Sequence, residues 1–152
     1  MAKLANNERS PYTDAITLNA ADIIAIGNGG TKVIGSIPAG GAVELVAVIN
    51  TVDIVGSSSL VIDVGTTLAD PDEFINALDV DAMTVGLPTF NTGDLMVQTA
   101  GNTTVLAGVS PAKPVSADTP IYIKVTDAAV ASITAGQIVI GMRILNLTQF
   151  AE

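Results

Sequence analysis

Ile121-Tyr122-Ile123-Lys124-Val125 alternates apolar and polar side chains, and Ile138, Ile140, Met142 and Ile144 repeat the alternation around Arg143. Successive residues of an extended strand point to opposite faces, so a period of two rich in β-branched residues marks a half-buried strand. Ile121, Ile123 and Val125 are expected to face a core, with Tyr122 and Lys124 toward water. Val43-Glu44-Leu45-Val46-Ala47-Val48-Ile49 is apolar on both sides apart from Glu44. Such a segment belongs at the centre of a sheet whose second face is covered by a loop or a neighbouring subunit. Val46 and Val48 are its candidate contact residues.

Working outward, the strand candidates are Ala15–Leu18, Asp22–Ile26, Thr31–Ile37, Val43–Thr51, Ser59–Val64, Leu95–Thr99, Thr103–Val109, Ile121–Thr126 and Gln137–Leu147, with a fainter signal at Met83–Val85. Turn residues separate them at Gly27–Gly30, Pro38–Gly41, Gly56–Ser59 and Ala135-Gly136. Strands and turns recurring about every ten residues predict an all-β sandwich or jelly roll. One short helix is expected at Asp70–Leu78, where an acidic cap, proline at the first helical position and Glu73 at the third precede Phe74, Ile75 and Leu78. A chain of 152 residues suits one domain, assigned to residues 15–152. Residues 1–14 carry Lys3, Glu8, Arg9 and Asp14 and read as an extended arm. The arm is expected to reach a neighbouring subunit or a larger particle, with Lys3, Arg9 and Tyr12 as its candidate contacts.

The chain has no cysteine and no histidine. That removes Ser/His/Asp triads, thiolate nucleophiles and zinc sites built from nitrogen and sulfur. Ser110-Pro-Ala-Lys113 has the spacing of a serine–lysine pair, but its prolines oppose the helix that would bring the two together. Gly27-Asn-Gly-Gly-Thr-Lys32 lacks the spacing of a phosphate-binding loop and reads as a glycine hairpin. No enzymatic activity and no cofactor are expected.

Six basic residues against fifteen acidic ones give a formal charge of −9, and no basic residue lies between Lys32 and Lys113. A surface of that sign repels nucleic acid and anionic lipid. No stretch approaches the ~18 apolar residues of a membrane helix, and a soluble protein is expected. Only 14% of residues are charged, against roughly 25% in an average soluble domain. Part of the surface is therefore expected to be buried in an assembly. Asp70, Asp72, Glu73, Asp79 and Asp81 are the candidate calcium ligands, because a hard cation needs several oxygens. They do not match an EF-hand, and the competing reading is a helix cap followed by solvated carboxylates. Carboxylate pairs that cleave sugars work beside aromatic platforms, and the five aromatic residues here are scattered.

Three further segments carry a resemblance: Gly35-Ser-Ile-Pro-Ala-Gly-Gly-Ala-Val43, Leu60-Val-Ile-Asp-Val-Gly-Thr-Thr-Leu-Ala-Asp-Pro-Asp-Glu-Phe74 and Ala135-Gly-Gln-Ile-Val-Ile-Gly-Met142. Over residues 33–147 the chain resembles small β-sandwich virion proteins of tailed bacteriophages, particularly capsid decoration or cement proteins. The resemblance implies a non-enzymatic oligomer, often a trimer, on the outer surface of the virion, where it binds the major capsid protein and ties neighbouring capsid subunits together. It transfers no catalytic residue. The alternative is a sugar- or receptor-binding module of a phage fibre or cell surface, with the acidic segment holding calcium.

Overall fold

The computed structural model describes residues 12–90 and 114–146. They form β1 (Asp14–Asn19), helix α1 (Ala20–Ile26), β2 (Thr31–Ile37), β3 (Gly41–Val55), β4 (Val61–Gly65), β5 (Ile75–Asp79), β6 (Pro88–Phe90), β7 (Thr119–Thr126), a 3₁₀ turn at Val130–Ser132, and β8 (Ala135–Asn146). β1 pairs with β8, β2 with β7, β3 with β6 and β4 with β5, all antiparallel. This nesting is a long two-stranded ribbon rolled up on itself. Rolling adds the β3–β8 and β4–β7 ladders and yields two four-stranded sheets, β1-β8-β3-β6 (sheet A) and β2-β7-β4-β5 (sheet B). The result is the jelly-roll form of the all-β sandwich expected from the strand spacing.

The alternation sets which side chains fill the interior. Ile121, Ile123 and Val125 of β7 are fully buried, as are Ile138 and Ile140 of β8, with Met142 nearly so. Across the sandwich they meet Val46 and Val48 of β3 and Ile62 and Val64 of β4. Val46 and Val48 therefore point into the core and have no accessible surface. Their assignment as contact residues is corrected: the pleat gives the other face of β3 to Leu45, Ala47 and Ile49.

Two local expectations exchange places. Asp22–Ile26, read as a strand, is the last part of α1. Asn19 caps it with a reciprocal pair of hydrogen bonds: the Asp22 amide donates to Asn19 Oδ1 at 3.1 Å and the Asn19 amide donates to Asp22 Oδ2 at 3.1 Å. Gly27, at φ +79°, ends the helix. The Asn-x-x-Asp spacing was present in the sequence, but a run of isoleucines after it reads equally well as β. Asn19→Ala is expected to cost about 1 kcal/mol, a fall of a few degrees in thermal midpoint, whereas Asn19→Asp should melt close to the native protein.

The helix expected at Asp70–Leu78 does not form. Residues 75–79 are β5, with Ile75 opposite Val64 and Leu78 opposite Ile62, and the Phe74 amide donates to the Val64 carbonyl at 2.9 Å. Glu73 turns its carboxylate to the Thr66 amide, 2.7 Å away, and to the hydroxyl of Thr67. Burial of both Phe74 and Ile75 against the sandwich outweighs the local helical signal. Met83–Val85 lies in a turn, and the strand comes later, at Pro88–Phe90. The candidates Leu95–Thr99 and Thr103–Val109 fall outside the described residues. Among the described residues no helix is long and apolar enough to cross a membrane.

Candidate interaction surface

The two outer faces of the sandwich differ in kind. On sheet B, the segment between β4 and β5 folds back over the strands. Pro71 and Glu73 lie so close above Gly65 that a β-carbon there would come within 2.8 Å of the Pro71 carbonyl carbon. Asp70 forms an ion pair with Lys124 at 3.2 Å, and Asp63 accepts the Ala77 amide at 2.6 Å. Ala77 sits at φ +47°, a left-handed conformation that its own N–H bond to this carboxylate helps to hold. Sheet B thus presents a strapped exterior that carries charged groups, with Val33 and Leu68 exposed beside them.

Sheet A is free of charge over its centre. Two cross-strand rows run over its outer face: Ala15–Gly141–Ala47–Phe90, and Thr17–Val139–Ile49–Pro88. None of these eight side chains is charged. The first charges lie one row away, where Glu44 and Arg143 pair at 2.9 Å. Tyr12 lies flat over Gly141, whose missing side chain makes room for the ring: a β-carbon at 141 would stand 2.8 Å from Tyr12 Cδ1. Beside it is an apolar hollow of about 170 Å³ lined by Tyr12, Ala15, Ala47, Ile49, Val139 and Gly141. Phe90, one strand over from Ala47, is 47% exposed.

The acidic residues do not gather into an ion site. Asp70 and Asp72 stand before β5, and Asp79 and Asp81 at its far end, about 13–17 Å away for a five-residue strand. Asp79 accepts the Asp81 amide at 3.0 Å and the Ala82 amide at 3.3 Å; Asp81 accepts the Ser57 hydroxyl at 2.5 Å and the Leu60 amide at 3.0 Å. The described residues hold no cluster of three potential metal ligands. The calcium candidate Asp70, Asp72, Asp79 and Asp81 is thereby divided, and the helix cap of the competing reading is corrected too: no helix begins at Asp70, and Asp79 and Asp81 accept amides and a hydroxyl of turns.

A third carboxylate completes the same end of the sandwich. Ser57, Ser58 and Ser59 donate to Asp81, Asp127 and Asp79 respectively. Asp127 is buried and accepts the Ser58 hydroxyl at 2.5 Å, the Ser58 amide at 3.3 Å and the Ala129 amide at 2.9 Å. Burial pushes its pKa upward. The Ser58 hydroxyl and the Ala129, Ser58 and Ser59 amides outweigh that effect and hold it below the ordinary aspartate value. The arrangement fastens a turn and offers no reacting geometry.

Of the candidate contacts, Tyr12 lies on the apolar face of sheet A, Val46 and Val48 lie beneath it in the core, and Lys3 and Arg9 are outside the described residues. Ala15, Ala47, Ile49, Phe90, Val139 and Gly141 were not singled out from the sequence. A signal for them was present: Val139 and Gly141 interleave with Ile138 and Ile140, making β8, like β3, apolar on both faces. No protein-family model matches the chain, and neither a curated protein nor a solved structure matches it.

Proposed function

We propose that this chain is a non-enzymatic structural subunit, a decoration protein that binds the major capsid protein on the outer surface of a phage head and stabilises contacts between capsid subunits. The observation that carries the reading is the uncharged outer face of sheet A, on a molecule of net charge −9 whose other sheet is strapped and carries charged groups. An apolar face of that kind is costly in water and is characteristic of surfaces covered by protein. The nested eight-strand roll is an architecture shared by viral capsid and lectin domains, which makes it compatible with this role and, as a fold, not specific to it. The acidic remainder suits an exterior surface that keeps particles apart.

The test is co-sedimentation of the purified protein with heads assembled from the major capsid protein of the same genome. Saturation at a fixed number of copies per head, with a raised temperature of head disassembly, is the expected result. Absence of binding to both compact and expanded heads overturns the proposal. The competing sugar-binding reading would draw on an open groove of about 580 Å³ between Asn76, Asp79, Met83, Thr84, Leu87 and Thr89. That groove has no aromatic platform for a sugar ring, and glycan titration calorimetry separates the two readings.

A further inference from the structure

We infer that the outer face of sheet A pairs with the same face of a second copy of this chain, the Phe90 ring of each copy entering the apolar hollow of the other. This rests on the reading of the chain as an assembly subunit and deepens it: the face which that reading offers to the capsid is covered by a second copy in the free protein, so dimer and head compete for it. The face carries both a knob and a matching socket. The hollow holds about 170 Å³, and an apolar cavity of about 150 Å³ accepts one benzene. Phe90 is the large aromatic side chain standing out of the same face.

Their placement fixes the symmetry. Phe90, Ala47, Gly141 and Ala15 occupy one cross-strand row, and the hollow extends from it to Ile49, Val139 and Pro88 of the next, so the hollow is centred about half a row from Phe90 along the strands and one to two strand spacings of about 4.8 Å to its side. A two-fold axis lying in the interface, through the midpoint of the line from Phe90 to the hollow and perpendicular to it, carries each Phe90 onto the other copy's hollow. Such an interface is isologous and closes as a dimer. The threefold ring implied by the resemblance would need knob and hollow on two different surfaces.

Two molecules of charge −9 repel, but no carboxylate lies in the two central rows: Glu44, in the next row, is paired with Arg143, and Asp14, beside Ala15, stands opposite Met142 on the other side of the pleat. Four strands at about 4.8 Å and five residues at about 3.4 Å give a footprint of roughly 320 Å². On both copies together that is about 640 Å², below the ~1,000 Å² of a stable specific interface and in the range of weak, transient ones. The dimer is accordingly expected to exchange, with dissociation in the micromolar range.

The experiment is sedimentation velocity of the full chain from about 1 to 500 μM. The native protein should shift from monomer to dimer mass. Phe90→Lys puts a charge into the partner's hollow and Ala15→Glu puts a carboxylate at its rim; both positions are exposed, and thermal melts verify folding. Each variant alone should be weakened at least tenfold, while an equimolar mixture of the two should recover the dimer, since one junction then sets the introduced ammonium against the introduced carboxylate and the other stays native. A monomer at every concentration, a trimer, variants that dimerise like the native protein, or a mixture that stays monomeric overturns the proposal. Head binding is read separately by co-sedimentation of the native chain at about 1 μM, where it is monomeric, so loss of the dimer and loss of the decoration reading are told apart.

Discussion

Gly56→Ala is expected to lower the thermal midpoint by about 10 °C. Gly56 stands at φ +96°, where an L side chain costs about 1–2 kcal/mol. Space is the larger problem. A β-carbon there would overlap the carbonyl oxygen of Ser132 and come within 3.0 Å of its carbonyl carbon and 3.3 Å of Ile133 Cα. These are backbone atoms, held on one side by the Thr134 amide bond to the Val55 carbonyl at 2.8 Å and on the other by the Ser132 amide bond to Ala129 at 2.7 Å. They cannot swing away as a side chain would. Overpacking of this kind adds about 1–3 kcal/mol, and a total near 3 kcal/mol corresponds to about 10 °C in a domain of this size. Gly29→Ala is the control: φ is +71° there, but nothing lies within 4 Å, so only the conformational cost remains. Equal melting of the two variants would remove the steric argument.

The second large effect is at Asp127. Asp127→Ala deprives the Ser58 amide, the Ser58 hydroxyl and the Ala129 amide of one common acceptor. Stranding buried donors costs about 1–3 kcal/mol each before water or relaxation relieves them, and a net loss of about 3 kcal/mol is expected. The pH dependence is more specific. The folded-state pKa lies below the ordinary value of 3.8, so the folded protein binds this proton less readily than the unfolded chain. The carboxylate's contribution is therefore complete above the unfolded-state value and is lost as pH falls through the lower, folded-state value. Asp127→Asn keeps an acceptor oxygen but cannot titrate. Its urea midpoint should be lower than the native protein's at pH 7, and the gap should narrow by pH 3. An unchanged gap would mean that the turn is held without the charge.

The sandwich was legible because its core strands obey a period of two: β7 and β8 follow the alternation residue by residue, and β2 ends where the glycines and proline say it should. What failed was local chemistry read without tertiary context. Asp70-Pro-Asp-Glu73 is a sound helix start in isolation, yet Glu73 turns its carboxylate to Thr66 and Thr67 because Phe74 and Ile75 contribute more against the core. The interaction face was half legible. A strand apolar on both sides announces that its second face is covered, but which residues form that face depends on the pleat. Val46 and Val48 were therefore the wrong half of a correctly chosen strand. The hollow needed more still, since Tyr12, Gly141 and Phe90 share one face only through the pairing of β8 with β1 and β3 and of β3 with β6.

That pairing also has a consequence for how the protein is made. β8 lies between β1 and β3 in sheet A, but it is translated after both. The gap from the end of β3 to the start of β8 is about 80 residues, or roughly 4–16 s at ordinary elongation rates. For that interval β3 has left the ribosome without its principal neighbour, apolar on both sides. Sheet A cannot close before β8 has left the ribosome; it closes in one step dominated by contacts distant in sequence, the kind that forms in milliseconds to seconds. The nascent chain therefore carries its greatest aggregation hazard just before β8 emerges, and a ribosome stalled anywhere between β3 and β8 holds a sheet with no centre.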